Sequence, residues 1–195
     1  MIALADVVRS LGCAWRLAHF DRSGEQWIDA TAAGFIKSFA AAVIVAPGWL
    51  LLKLIAWSNA EPSVAIDWLA AAFIMPSAYV VLWVAFPLVM SGVAEVLGRG
   101  ERWLAFVVAN NWIQIVQLAV TLPASVVVAG VGAPWAVPVA IATQALLAAW
   151  SWFVARVTLD IAPLPAALVV VLELVVATLI DGTLLRLVMV PGATS

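Results

Sequence analysis

The stretch WLAFVVANNWIQIVQLAVTLPASVVV, residues 103–128, contains no charged side chain along its whole length. A helix rises about 1.5 Å per residue, so a helix of this length exceeds the roughly 30 Å hydrocarbon core of a bilayer. A membrane β-barrel instead needs short segments of alternating polarity. This continuous apolar run therefore predicts a transmembrane α-helix.

Four further apolar stretches of similar length accompany this one. The chain of 195 residues is 66% hydrophobic and 10% charged, whereas a soluble domain is about half apolar and about a quarter charged. The composition therefore indicates that lipid is the solvent for most of the chain. We predict an all-α integral membrane domain over residues 35–190 with a short tail at 191–195. Its five transmembrane helices are expected at about 35–57, 67–93, 103–128, 135–155 and 164–187.

Residues 1–34 form a polar segment before the first apolar stretch. Within residues 2–19, apolar side chains including Trp15 follow the helical period, and Arg9 and Arg16 lie on the other side. Such a helix lies in the membrane interface, with its arginines near anionic lipid, or packs on the protein's own cytoplasmic surface. We predict an amphipathic N-terminal helix whose interfacial residues are Arg9, Trp15 and Arg16.

The distribution of basic residues predicts the orientation of the chain. With the N-terminus inside, the outer side carries only Lys53 and Arg186, which predicts a cytoplasmic N-terminus and an external C-terminus. The first 30 residues are too charged for a cleavable signal peptide. Because the Ala-, Val- and Trp-rich composition is typical of a GC-rich bacterium, we expect a multi-pass protein of a bacterial inner (cytoplasmic) membrane. The basic residues on the inner side are Arg9, Arg16, Arg22, Lys37, Arg99, Arg102 and Arg156.

The third helix carries a stripe of polar residues at the spacing i, i+4, i+7 and i+11. An amide in hydrocarbon costs free energy unless it is hydrogen-bonded, so the stripe must face protein or water. One interpretation is dry hydrogen bonding between helices, and the other is a polar groove that lines a path or a ligand site. The stripe consists of Asn110, Gln114, Gln117 and Thr121, with Asn111 at its edge.

The fifth helix carries two carboxylates. Glu173 lies near the middle of the membrane, where an ionisable residue indicates function by default. Counted from the inner ends of their helices, Gln114 and Glu173 lie at similar depth, so we expect them to face one another. Asp181 lies nearer the outer edge, where we expect it to pair with Arg186 or to reach water. On the fourth helix, Gln144 and Ser151 share one face.

Catalytic and metal-binding signatures do not occur in the sequence. The chain has one cysteine, Cys13, and one histidine, His19, so it has neither clustered zinc ligands nor a pair of haem ligands. It has no phosphate-binding loop, no dinucleotide fingerprint and no basic run. We therefore expect no enzymatic activity, no catalytic or metal site, no nucleic-acid partner and no cofactor. These absences do not exclude a bound lipid or quinone.

The last two predicted helices carry a resemblance to a known family. The stretches AWSWF at 149–153 and IAPLPAALVVV at 161–171 place a short polar turn before a valine-rich final helix. Together with the polar N-terminal segment and five closely spaced apolar helices, this plan resembles the Yip family (Ypt-interacting proteins). The resemblance implies a five-helix topology. Eukaryotic members act in vesicle traffic with small GTPases, bacterial relatives mostly lack an assigned function, and no family site residue matches.

Three functions are compatible with these features. We favour a non-enzymatic scaffold or accessory subunit of a larger membrane assembly, because eleven tryptophans supply rigid contact surfaces for lipids and protein neighbours. Its partners would be membrane lipids and other membrane subunits or further copies of the chain. The alternatives are a small transporter or channel, whose polar path is lined by the third and fifth helices, and a lipid- or quinone-binding membrane protein.

Overall fold

The computed structural model describes residues 3–58, 64–131 and 133–191 of the chain. Within these residues the chain is mainly helical, with short connecting turns and two short strands, β1 (Val64–Ile66) and β2 (Met189–Pro191). Short 3-10 turns occupy Arg22–Trp27 and Gly100–Arg102. The α-helices are α1 (Leu4–Ala18), α2 (Ala32–Ser38), α3 (Ala40–Ser58), α4 (Trp68–Val96), α5 (Trp103–Gly130), α6 (Ala133–Thr158) and α7 (Pro163–Val188).

Five helical segments are long and apolar enough to cross a membrane. The first combines α2 with α3, and the other four correspond to α4, α5, α6 and α7. The predicted all-α fold with five spanning helices is therefore confirmed, and the chain is a multi-pass membrane protein. The spans are Ala32–Ser58, Trp68–Val96, Gly100–Gly130, Pro134–Thr158 and Pro163–Val188.

The five spans form a ring. Helix α5 packs between α3 and α6, and α7 packs between α6 and α4. The ring closes between α3 and α4 through side chains, because the Tyr79 hydroxyl donates a hydrogen bond to the Ala42 carbonyl at 2.6 Å and the Trp49 ring lies against the Tyr79 ring. This arrangement encloses a space between the helices.

One end of the ring, which we call the cap end, is covered by α1 and the Arg22–Trp27 turn. Helix α1 packs against α5 and α6, and it buries Cys13, Ala14, Leu17 and Ala18. The Trp150 indole donates a hydrogen bond to the Ala18 carbonyl at 2.7 Å. The buried side of α1 thus packs on the protein's own surface, which is one of the two arrangements predicted for the N-terminal helix.

The opposite end of the ring, the ribbon end, carries the two strands. They pair antiparallel, with Ala65 opposite Val190, and the Asp67 N–H donates to the Val188 carbonyl at 2.9 Å. The Asp67 side chain caps α4 by accepting a hydrogen bond from the Ala70 N–H at 2.9 Å. The ribbon therefore ties the segment before α4 to the end of α7.

Buried side chains are concentrated in the half of the ring next to the cap. Every residue of α5 from Phe106 to Ile113 is buried, as are Val154 and Ala155 of α6. In the other half, α6 exposes Trp135 and Ile141. The larger buried core therefore lies next to the cap, and a second, smaller cluster at the ribbon end buries Trp57, Ala71, Met75, Leu184 and Val188.

Candidate functional site

A cavity of about 230 Å³ lies inside the ring and is bounded by all five spanning helices. Its polar wall is built by α5, α6 and α7, and its aromatic wall by α3 and α4. The aromatic wall contains Trp49, Tyr79, Trp83 and Phe86, and the polar wall contains Asn110, Asn111, Gln114, Gln117, Gln144, Ser151 and Glu173.

Polar side chains connect the three helices of the polar wall. The Gln117 Nε2 donates to the Ser151 Oγ at 3.2 Å, and both side chains are buried. Ser151 also lies near the Glu173 carboxyl group across the contact of α6 with α7. A hydroxyl can accept one hydrogen bond while it donates another, so the Ser151 hydroxyl that accepts from Gln117 keeps its proton available to Glu173.

Asn111 belongs to the packing of the cap half. Its Nδ2 donates to the Ser38 Oγ at 2.8 Å, and that hydroxyl donates to the Phe35 carbonyl at 2.7 Å. Asn111 and Ser38 are both buried. Gln117 and Asn111 therefore act as hydrogen-bonding contacts between helices.

Asn110 and Gln114 have a different role in the same stripe. Both side chains line the cavity. In the described parts of the chain, no side-chain hydrogen bond joins either of them to another residue, and no side-chain polar atom is both fully buried and unpaired. Their amides are consequently open to a molecule inside the cavity.

Gln114 and Glu173 line the same cavity, but among the described residues no hydrogen bond joins them, so their predicted face-to-face contact stays a prediction. Ser151 on α6 lies near Glu173. No lysine, arginine or histidine is found among the described residues that line the cavity. The Glu173 carboxyl group therefore has no basic side chain beside it in the cavity.

Thr121 and Asp181 lie outside this cavity. The Thr121 hydroxyl donates to the Gln117 carbonyl at 2.8 Å, and its side chain lines a shallower groove of about 390 Å³ between α3, α5 and α6. Of the two environments predicted for Asp181, the pair with Arg186 is wrong, because Lys53 Nζ lies 2.7 Å from Asp181 Oδ1, and the Asp181 side chain is 44% exposed. A spacing of five residues places Asp181 and Arg186 about 140° apart on a helix.

The predicted interfacial residues of α1 make contacts within the cap. Arg9 lies 3.5 Å from Asp29, and the Arg16 guanidinium donates to the Ser23 hydroxyl at 2.8 Å. The Trp15 side chain is 61% exposed, and its ring lies 4.4 Å from that of His19. The arginines therefore bind the protein's own polar groups, while Trp15 faces outward.

Cys13 lies on the buried face of α1, and this burial raises the pKa of its thiol to about 12. A thiol in that state is a poor nucleophile and a poor metal ligand. No group of three metal-binding side chains occurs in the part of the chain that the structure describes.

The aromatic wall is the part of the site that sequence reasoning missed. Tyr79 and Trp83 are one helical turn apart on α4, which places them on one face, but nothing in that spacing indicates that Trp49 of α3 lies against them. Comparison with protein-family models, curated proteins and solved structures finds no match to this chain. The resemblance to the Yip family stays a prediction and contributes no residue to the site.

Proposed function

We propose that the protein is a membrane-embedded binding protein whose cavity holds a small amphipathic molecule. The observation that carries the proposal is a cavity of about 230 Å³ with a polar wall on one side and an aromatic wall on the other. Ligand pockets are commonly about 300–1,000 Å³. The smaller volume favours a small molecule or a single headgroup over a whole lipid.

The residues of the polar stripe have two different roles, and this difference supports the proposal. Gln117 and Asn111 are occupied by hydrogen bonds between helices, whereas Asn110 and Gln114 face the cavity. Ligand sites combine a mostly apolar lining with a few polar groups that orient the ligand. Glu173, which lines the cavity with Ser151, supplies the third such group.

The cap end is proposed to face the cytoplasm of a bacterial inner membrane. The seven basic residues counted on the inner side belong to the cap end and its adjoining turns, and Lys53 and Arg186 lie toward the ribbon end. Acidic partners do not weaken this argument, because the orientation rule counts lysine and arginine rather than net charge. In this orientation the exposed Trp15 lies at the level of the membrane interface, where tryptophan is enriched.

A substitution that fills the cavity tests the binding function. Ala148 lines the cavity, and Ala145 is an exposed alanine on the same helix outside it. The wild-type protein, Ala148→Phe and the control Ala145→Phe are purified from membranes in dodecyl maltoside. Small molecules are then extracted, and the molar ratio of each molecule to protein is measured by mass spectrometry. We expect one stoichiometric molecule in the wild-type protein and the control, and its loss in Ala148→Phe. Equal extracts from all three proteins, or no molecule in any, contradict the proposal.

A specific feature of α6 also favours the role of subunit in a larger assembly. Gln144 borders both the cavity and the groove between α3, α5 and α6, and it is exposed within a spanning helix, where lipid offers its amide no hydrogen-bond partner. A second copy of the chain or another membrane subunit would satisfy it. Gln144→Leu is then expected to reduce the mass of the detergent-solubilised particle, measured by light scattering, whereas an unchanged mass speaks against this role.

A further inference from the structure

We propose that the molecule in the cavity carries an organic cation, an alkylammonium group held between the Glu173 carboxylate and the aromatic wall. This inference rests on the proposed binding function and names the chemical class of the ligand. The shared chemistry is an ammonium group, whether it belongs to a free amine or to a lipid headgroup.

The first argument is the charge of the cavity. Glu173 is the one acidic side chain among the described residues that line it, and none of those residues is basic. The nearest lysine along α3, Lys53, lies one turn beyond Trp49 and is engaged by Asp181 at 2.7 Å. A carboxylate inside a membrane is costly without a partner of opposite charge. A cationic ligand supplies that partner.

The second argument is the geometry of the aromatic rings. The Tyr79 and Trp83 ring centroids lie 6.1 Å apart at an interplanar angle of 60°, and those of Trp49 and Tyr79 lie 4.8 Å apart at 49°. The rings are tilted against one another instead of stacking flat, so they form an angular wall. Aromatic faces attract ammonium groups, and quaternary ammonium ligands are recognised by walls of this kind.

One end of the same wall already binds a cation. The Lys53 Nζ lies 5.5 Å from the centroid of the Trp49 ring. This contact occupies Trp49 on the side toward the ribbon end and leaves Tyr79 and Trp83 to the cavity. The cavity-facing amides of Asn110 and Gln114 offer oxygen acceptors for an ammonium N–H or a ligand hydroxyl.

A matched pair of probes tests the charge. Choline and its neutral carbon isostere 3,3-dimethylbutan-1-ol have the same shape and the same hydroxyl. Binding of each to the full-length protein is measured by calorimetry in dodecyl maltoside, a detergent without ammonium groups. We expect choline to bind at least about tenfold more tightly than the isostere.

Variants assign the preference to the two walls. Glu173→Gln keeps the shape of the side chain, and we expect it to weaken choline binding at least about tenfold and to leave the isostere unchanged. Trp83→Leu should weaken choline binding as well. Glu95→Gln, at the exposed cap end of α4, is the control and should match the wild-type protein. Glu173→Asp keeps the charge and should keep the preference for choline, so the test does not depend on one variant.

The outcomes separate this inference from the proposed function. Equal affinity for both probes, or no choline binding by the wild-type protein, overturns the organic cation, while the extraction experiment with Ala148→Phe judges the binding function independently. Phosphatidylethanolamine added to the micelles identifies the source of the ammonium group. Competition with choline indicates a lipid headgroup, and unchanged choline affinity indicates a free amine.

Discussion

The cap end and the ribbon end of the ring differ in the ion pairs and the packing that stabilise them. The described residues form seven ion pairs, and six of them join groups at the cap end. Their side chains are 25–53% exposed, as in Arg102 with Glu25 at 3.0 Å, and they lie outside the apolar core, so water and salt weaken these pairs. The seventh pair, Lys53 with Asp181, joins α3 to α7 within the apolar spans.

The same contrast appears in the packing. Around Phe106 and Val154 the side chains are buried on all sides, whereas in the ribbon half Trp135 and Ile141 are exposed. Lipid tails are as apolar as leucine, so exposure of this kind carries no hydrophobic cost in a membrane. The cavity borders the larger buried core, in which Ser151 is itself buried.

Removal of Lys53 is expected to have the largest effect on stability. Lys53→Met leaves the Asp181 carboxylate, whose side chain is 44% exposed within an apolar span, without its partner. Because a charge surrounded by lipid is costly, we expect this change to lower the free energy of unfolding by about 3 kcal/mol. The double variant Lys53→Met with Asp181→Asn should recover most of this loss, because it removes the unpaired charge. Unfolding by dodecyl sulfate in mixed micelles measures both.

The matched control for the cap end is Arg102→Met. Glu25 remains near water when Arg102 is removed, so we expect a loss of no more than about 1 kcal/mol. If Arg102→Met costs as much as Lys53→Met, the two ends do not differ in the way that their surroundings indicate.

A pair of isoleucines tests the packing contrast. Ile113 of α5 is fully buried, whereas Ile141 of α6 is 63% exposed. We expect Ile113→Ala to cost about 2 kcal/mol, near the lower limit for buried isoleucine, because the transfer from water that adds to this cost in soluble proteins is absent in lipid. Ile141→Ala should stay within about 0.5 kcal/mol. Both substitutions change helix propensity equally, so equal losses in the same unfolding assay would contradict the contrast.

The sequence predicted the spans well because the thickness of the bilayer imposes their length. An uncharged run such as residues 103–128, which lacks the alternating polarity of barrel strands, satisfies its backbone hydrogen bonds in lipid as a helix. Periodicity and depth also place Gln114 and Glu173 in one cavity. The contact of Trp49 with Tyr79 and the pair of Lys53 with Asp181 depend on the order of the helices around the ring, which the pattern within a single helix does not contain.

The smallest predicted effect is the response of the cap to acid. The Lys37 ammonium, which donates to Asp6 at 2.8 Å, holds the pKa of that carboxyl below its usual range. The Thr31 hydroxyl, which donates to Asp29, does the same for the pKa of Asp29. A carboxyl with a depressed pKa stabilises the fold at neutral pH, and this contribution is lost as the pH falls below about 4.

The N-terminal segment should therefore become more susceptible to pepsin between pH 5 and pH 3, while the spans, whose packing contains few titrating groups, keep their resistance. Asp6→Asn should raise cleavage at pH 5 and flatten its pH dependence, because the pairing with Lys37 is already absent. Asp67→Asn, which removes a cap at the ribbon end, is the control and should leave cleavage of the N-terminal segment unchanged. If the spans and the N-terminal segment become cleavable together, the cap is not a separate unit. The ion pairs at the cap end would then stabilise the whole ring rather than only the N-terminal segment that covers it.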